Sequence, residues 1–247
     1  MILAAHQLHY LPWLRYFHKI ASVDTFVVLD NIQFNKNGWQ NRNKIKGPAG
    51  EVILTVPILQ KFQQALSEVR IDNKQPWRRK HLGALLSNYQ KAAHFKDYEP
   101  FFREVYGKPW EVLNELNYEI LLYLLKALGV RTRVLRSSEL SLEGEGNQRL
   151  VNLCKELGAR SYLTGTYAAQ TYLDPDLFER EGIELLSQDY ECPRYPQLYP
   201  ETGFVSELSI IDLLFNCGPK SLEILMERGR GTACRASAAA KKHDSAF

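Results

Sequence analysis

The chain has 247 residues, 45% apolar and 24% charged, so it reads as an ordinary globular protein long enough to bury a core without covalent staples. Its net charge of +3 sits in residues 229–247, where Arg230, Arg235, Lys241 and Lys242 face Asp244 alone. Residues 1–228 are then formally neutral, which excludes a dedicated nucleic-acid binder built on a basic stripe.

Residues 1–5 read as a buried strand ending at His6. Pro12 suits the first turn of a helix carrying Trp13, Leu14, Tyr16, Phe17 and Ile20. Residues 25–29 are rich in β-formers and close on Asp30-Asn31, a second strand parallel to the first. Residues 31–48 read as irregular, 51–57 as a strand, and 66–71 as another. Helices are expected at about 76–90, 98–106 and 110–128, the last ended by Gly129. Alternation then resumes with a strand at 131–136, a helix at 146–157, a strand at 161–163, a short helix at 174–180 and a strand at 183–187. A Pro- and Tyr-rich loop follows at 189–204, and helices at about 207–216 and 219–227 close the fold. The pattern predicts a single α/β domain over 1–228, a mostly parallel Rossmann-like sheet with helices on both faces and a helical insertion at about 76–128. The tail 229–247 has no periodicity and is expected to be disordered.

The apolar runs at 1–5 and 120–125 are too short for a signal peptide or a membrane span. A cytoplasmic protein without membrane insertion is therefore expected. The four cysteines form no C-x-x-C pair and read as free thiols. No metal site is indicated, and neither cofactor nor oligomeric state can be named from the residues.

Ligands of a parallel sheet bind at the carboxyl ends of its strands. Here those ends carry His6-Gln7, Asp30-Asn31, Thr164-Gly165-Thr166 and Ser187-Gln188-Asp189. Adjacent strands lie about 4.8 Å apart, so His6 and Asp30 are expected to meet as a general base and its orienting carboxylate. His6-Gln-Leu-His9 also has the His-x-x-His spacing of a nucleotidyltransferase signature, although Leu8 stands where that signature has Gly. There is no P-loop, no Gly-x-Gly-x-x-Gly after a strand and no Gly-x-Ser-x-Gly elbow. The segment 31–44 packs amides, Lys36, Arg42, Phe34 and Trp39 into one stretch and reads as a ligand-facing loop.

These residues resemble one family throughout. His6-Gln7, Tyr10-Leu-Pro-Trp13 and Tyr16-Phe-His-Lys-Ile20 are similar to the opening of WbqC-like proteins. So are Asp30, Gln33-Phe34, Lys36, Trp39 and Arg42-Asn43 in a second block, and Tyr162, Gly165 and Tyr172-Leu-Asp174 in a third. Tyr195-Pro-Gln197 and Leu208-Ser-Ile-Ile-Asp212 with Phe215, Asn216 and Gly218 match the closing blocks. The chain departs from the family's habit at Leu8, His9 and Arg15. The resemblance implies a transferase that modifies a sugar in surface-polysaccharide (O-antigen-like) biosynthesis, by aminoacyl or acyl transfer. In that scheme His6 and Asp30 are catalytic, and Lys36 and Arg42 hold an anionic donor or nucleotide sugar. Gln7, Gln33 and Asn43 hold substrate hydroxyls, and Tyr10, Trp13, Trp39, Gly165 and Tyr172 complete the binding surface. The alternatives are nucleotidyl transfer on a Rossmann-like fold, and a non-catalytic sugar- or nucleotide-binding partner.

Overall fold

A computed structural model describes residues 1–36, 38–59, 64–165 and 171–227, together with the backbone of 234–235. Five short strands form one parallel sheet: β1 (Ile2–His6), β2 (Thr25–Val28), β7 (Arg133–Arg136), β8 (Ser161–Thr164) and β9 (Glu184–Ser187). Their spatial order is β9-β8-β1-β2-β7. Ranked along the chain, this is the 3-2-1-4-5 order of a Rossmann-type sheet. Chain order reverses between β1 and β8, and that reversal places the site described below.

The strands alternate as a sheet buried on both faces requires. Leu3, Ala5 and Val27 meet Val151 and Cys154 of α5 (Gly146–Glu156) and Phe178 of α6 (Pro175–Arg180). Ala4, Phe26 and Val28 point the other way. There they join Leu14, Phe17 and Ile20 of α1 (Leu14–Ala21) and Leu213 and Leu214 of α7 (Ile210–Cys217). The short α8 (Ser221–Met226) packs beside α1 and α7.

β2 and β7 are direct neighbours, paired from Thr25↔Arg133 to Val28↔Arg136. All of residues 29–132 therefore leave the sheet and return to it. This excursion holds a hairpin of β3 (Arg42–Gly47) and β4 (Gly50–Thr55), then the short pair β5 (Ile58–Leu59) and β6 (Arg70–Ile71). Three helices follow: α2 (Trp77–Tyr89), α3 (Phe95–Gly107) and α4 (Leu113–Leu128). The expected helical insertion is this later part. Leu116, Ile120, Leu121 and Leu124 of α4 are fully buried, and Gly129 ends the helix in the left-handed region at φ 74°.

Two expectations change. Residues 42–47 are not irregular but form β3, whose inward side includes Asn43 and Ile45. Residues 66–71 form a 3-10 turn (Leu66–Glu68) before the two-residue β6 rather than one strand. Most of the tail lies outside the described residues. Within it, β10 (Cys234–Arg235) pairs antiparallel with β9. Among the described residues, Cys154, Cys192 and Cys217 are unbridged, and no helix is long and apolar enough to cross a membrane.

Candidate functional site

His6 ends β1 and is half-buried. Its Nδ1 lies 3.0 Å from the carbonyl of Gln7, which can only accept, so the proton is on Nδ1 and Nε2 is left as an acceptor. Burial, and then the charge of Lys19, hold the His6 pKa down at about 3, so the ring is neutral at physiological pH. The ring meets Tyr16 and His9 edge-on, with centroids 5.3 and 4.8 Å away. Tyr16 donates its hydroxyl to the same Gln7 carbonyl at 3.1 Å, and Gln40 donates its amide to Gln7 Oε1 at 2.9 Å.

α1 starts directly after this turn and puts Arg15 and Lys19, one helical turn apart, on one face. On the other side of β1 the register Leu3↔Tyr162, continued along both strands, sets His6 level with Gly165. A β-carbon at Gly165 would stand 3.6 Å from Lys19 Nζ, so backbone and ammonium approach closely there. Together these groups enclose a cavity of about 250 Å³ at the carboxyl ends of β1 and β8, lined also by Trp13, Tyr16, Tyr162, Thr164, Tyr172 and Gln188. This is the topological switch point of the sheet, where ligands of open α/β folds bind.

No Asp or Glu is among the described lining residues. The Lys19 ammonium makes no hydrogen bond or ion pair among the described residues. Burial and the like charge of Arg15 push its pKa down to about 8. Arg15 is more open: its guanidinium lies over the ring of Tyr190, 5.1 Å from the centroid, and 3.4 Å from Glu207 at the surface. The crevice thus offers cations, aromatic walls and a neutral imidazole.

The expected His6–Asp30 pairing does not form. The strands do lie side by side and parallel, but the register His6↔Val28 leaves Asp30 two residues beyond. There Asp30 turns to the end of β7, accepting from the Ser137 hydroxyl at 3.0 Å, the Ser138 backbone N–H at 2.9 Å and the Ser138 hydroxyl at 2.6 Å. It caps a 3-10 turn (Ser137–Glu139) instead of orienting an imidazole. Of the other sequence candidates, Trp13, Gly165 and Tyr172 line the crevice, and Gln7 stands just behind His6.

The remaining candidates lie elsewhere. Tyr10 is fully buried and bonds through its hydroxyl to His81 and Tyr106. Asn43, also buried, donates its amide to the carbonyls of Tyr10 and Leu11 at 3.2 and 2.8 Å. That clamp holds Leu11 at φ 44°, a left-handed conformation that a branched side chain resists. Trp39 meets Trp13 edge-on, with Arg42 and Lys44 near its face. Gln33 bridges to Ala65 and Lys36 is exposed. Segment 31–44 is therefore largely a brace for the β1–α1 turn. His9 is buried against Trp13 and does not line the cavity, unlike the first histidine of its motif.

Thr164 and Gln188 stand at the strand ends where the sequence places ligand-facing groups, whereas Arg15, Tyr16 and Lys19 were not among the site candidates. The available signal was the basic pair at i, i+4 on a helix that follows strand one directly. The closing sequence blocks build a second polar cluster away from the crevice. Lys46, buried, donates to Gln197 Oε1 at 3.1 Å and to the Gly203 carbonyl at 2.6 Å. The buried Asp212 is tied to the same β-hairpin through Tyr89. This cluster holds the 189–204 segment to the core.

Residues 7–224 match the model of the WbqC-like protein family. The chain is 36% identical over 223 residues to the uncharacterized protein Rv1507c of Mycobacterium tuberculosis, an alignment covering 89% of this chain and 95% of that one. No solved structure matches it.

Proposed function

The chain belongs to the WbqC-like protein family, and from that premise we propose that it is a transferase that modifies a sugar in surface-polysaccharide assembly, by acyl or aminoacyl transfer, in the crevice between β1 and β8. The observation that carries this reading is the neutral imidazole of His6, its proton fixed on Nδ1, on the wall of an aromatic crevice at the switch point with no acid among its described lining residues. Trp13 and Tyr172 line the crevice and supply aromatic surface for a sugar ring. His6 Nε2 accepts the proton of a sugar hydroxyl or amine as that group attacks an activated acyl carbonyl. The new C–O or C–N bond replaces the bond to the donor's leaving group. Lys19 is the second cause of the low His6 pKa, so an anion bound at Lys19 raises the basicity of His6.

The test is a mass-spectrometric assay of purified protein with amino- and hydroxy-sugar nucleotides and acyl or aminoacyl thioesters. An acyl mass gain on the sugar is expected, with His6→Gln slowing it by about 100-fold or more. Sugar binding without transfer to any acceptor supports a non-catalytic binding partner instead, and full turnover by His6→Gln removes the role given to the imidazole.

A further inference from the structure

We propose that Lys19 and Arg15 form a phosphoryl-binding subsite at the mouth of the β1–β8 crevice, so that the molecule it takes is a phosphorylated one, a sugar phosphate or a nucleoside diphosphate derivative. The inference rests on the site chosen for the transferase reading and names the chemistry of its ligand.

Two cations one turn apart on α1 share the cavity, and its described lining supplies no carboxylate to either. Arg15 spends part of its charge outside, on Tyr190 and Glu207. The ammonium of Lys19 has no such outlet: it is half-buried, carries no bonded partner among the described residues, and faces the backbone of Gly165. A half-buried, unpaired charge is costly, and a second like charge nearby adds to the cost. A dianion between the two offsets both at once, whereas a single carboxylate matches only one. Arg15 presents a planar fork suited to paired phosphoryl oxygens, and Lys19 a point charge. Thr164 and Gln188 line the same wall, but the Gln188 amide nitrogen already meets the Arg15 carbonyl and His18 Nδ1, each at 3.0 Å, so the anion is left to the two cations. A β-carbon at Gly165 would stand in ordinary contact with the ammonium, and a larger side chain there would crowd it. The aromatic walls are left for the organic part of the ligand.

The low pKa of Lys19, about 8, fits an ammonium held without a counter-ion. An anion at the subsite pulls that proton on more tightly, so binding takes up protons from solution near pH 8 and weakens as pH rises beyond it.

Titration calorimetry of the full chain with inorganic pyrophosphate, UDP and glucose 1-phosphate tests the subsite, with glucose as the uncharged control. At least one of the three phosphorylated probes is expected to bind, and which one binds identifies the source of the phosphoryl group. Lys19→Met and Arg15→Met should each weaken it by about tenfold or more, while Lys36→Met, at an exposed residue outside the crevice, leaves it unchanged. Gly165→Val, at a residue without a positive φ, should weaken binding while leaving both charges in place, which keeps the test decisive if Lys19→Met fails to fold. Glucose binding as well as the phosphorylated probes, no binding by any of the three, or wild-type affinity in Gly165→Val overturns the proposal. Phosphate binding without acyl transfer leaves the subsite standing and removes the transferase reading. Transfer without phosphate binding does the reverse.

Discussion

Tyr89 donates its hydroxyl hydrogen to Asp212 Oδ1 at 2.7 Å while accepting the backbone N–H of Lys46 at 2.8 Å, so one phenol ties α2, α7 and β3 together. All three groups are buried. Removing the hydroxyl with Tyr89→Phe leaves a donor and an acceptor unsatisfied without opening a large cavity. A loss of about 1–3 kcal/mol is expected from urea unfolding. A variant as stable as the parent would mean that the two groups find other partners.

The Asn43 clamp is expected to matter for stability and for binding together. Asn43→Leu removes the bonds to the Tyr10 and Leu11 carbonyls and leaves Leu11 to hold its left-handed φ alone. A stability loss of about 2 kcal/mol is expected, with weaker pyrophosphate binding because the same turn carries His6 and Trp13 into the crevice. Unfolding and calorimetry on one preparation separate the two effects, and unchanged values in both would show the clamp to be idle.

Asp30 should behave as a cap. Asp30→Ala strips the Ser137 and Ser138 partners at the end of β7 and should cost about 0.5–2 kcal/mol. Ligand affinity should stay within twofold of the parent, about the scatter expected for a site without contact. A large loss of affinity at intact stability would restore Asp30 to the active site.

Acid should destabilise the fold through its buried histidines. His6 is held to about 3 and His81 to about 4, both chiefly by burial, against 6.5 for an ordinary histidine. The unfolded chain therefore takes up protons below pH 6.5 that the folded chain refuses, and stability falls as pH drops from there toward 4. The midpoint of urea unfolding should be lower at pH 5 than at pH 7, and His6→Gln should flatten the slope. Equal midpoints at the two pH values would contradict the burial of these rings.

Much of the architecture was legible because it follows from pattern: β-formers at 25–28, the apolar face of α4, and Gly129 at its end. β3 escaped because its buried positions include Asn43 and Lys46, polar groups whose side-chain donors are satisfied by partners distant in sequence. The crevice was half legible. His6 and Gly165 follow from the rule about strand ends, but Arg15 and Lys19 look like the solvent face of an ordinary amphipathic helix. What makes Lys19 unusual is Gly165, brought beside it by β8 more than a hundred residues later. Asp30 was misread because its donors, Ser137 and Ser138, lie across the whole excursion.

The pairing of β2 with β7 also has a consequence at the ribosome. Once residue 28 has left the exit tunnel, the outer edge of β2 has no strand to join until residues 133–136 are made. At about 5–20 residues per second that wait is on the order of ten seconds. Through it a short apolar edge stands open to other nascent chains. Chaperone dependence during synthesis, rather than instability of the finished protein, is therefore where this topology should exact its toll.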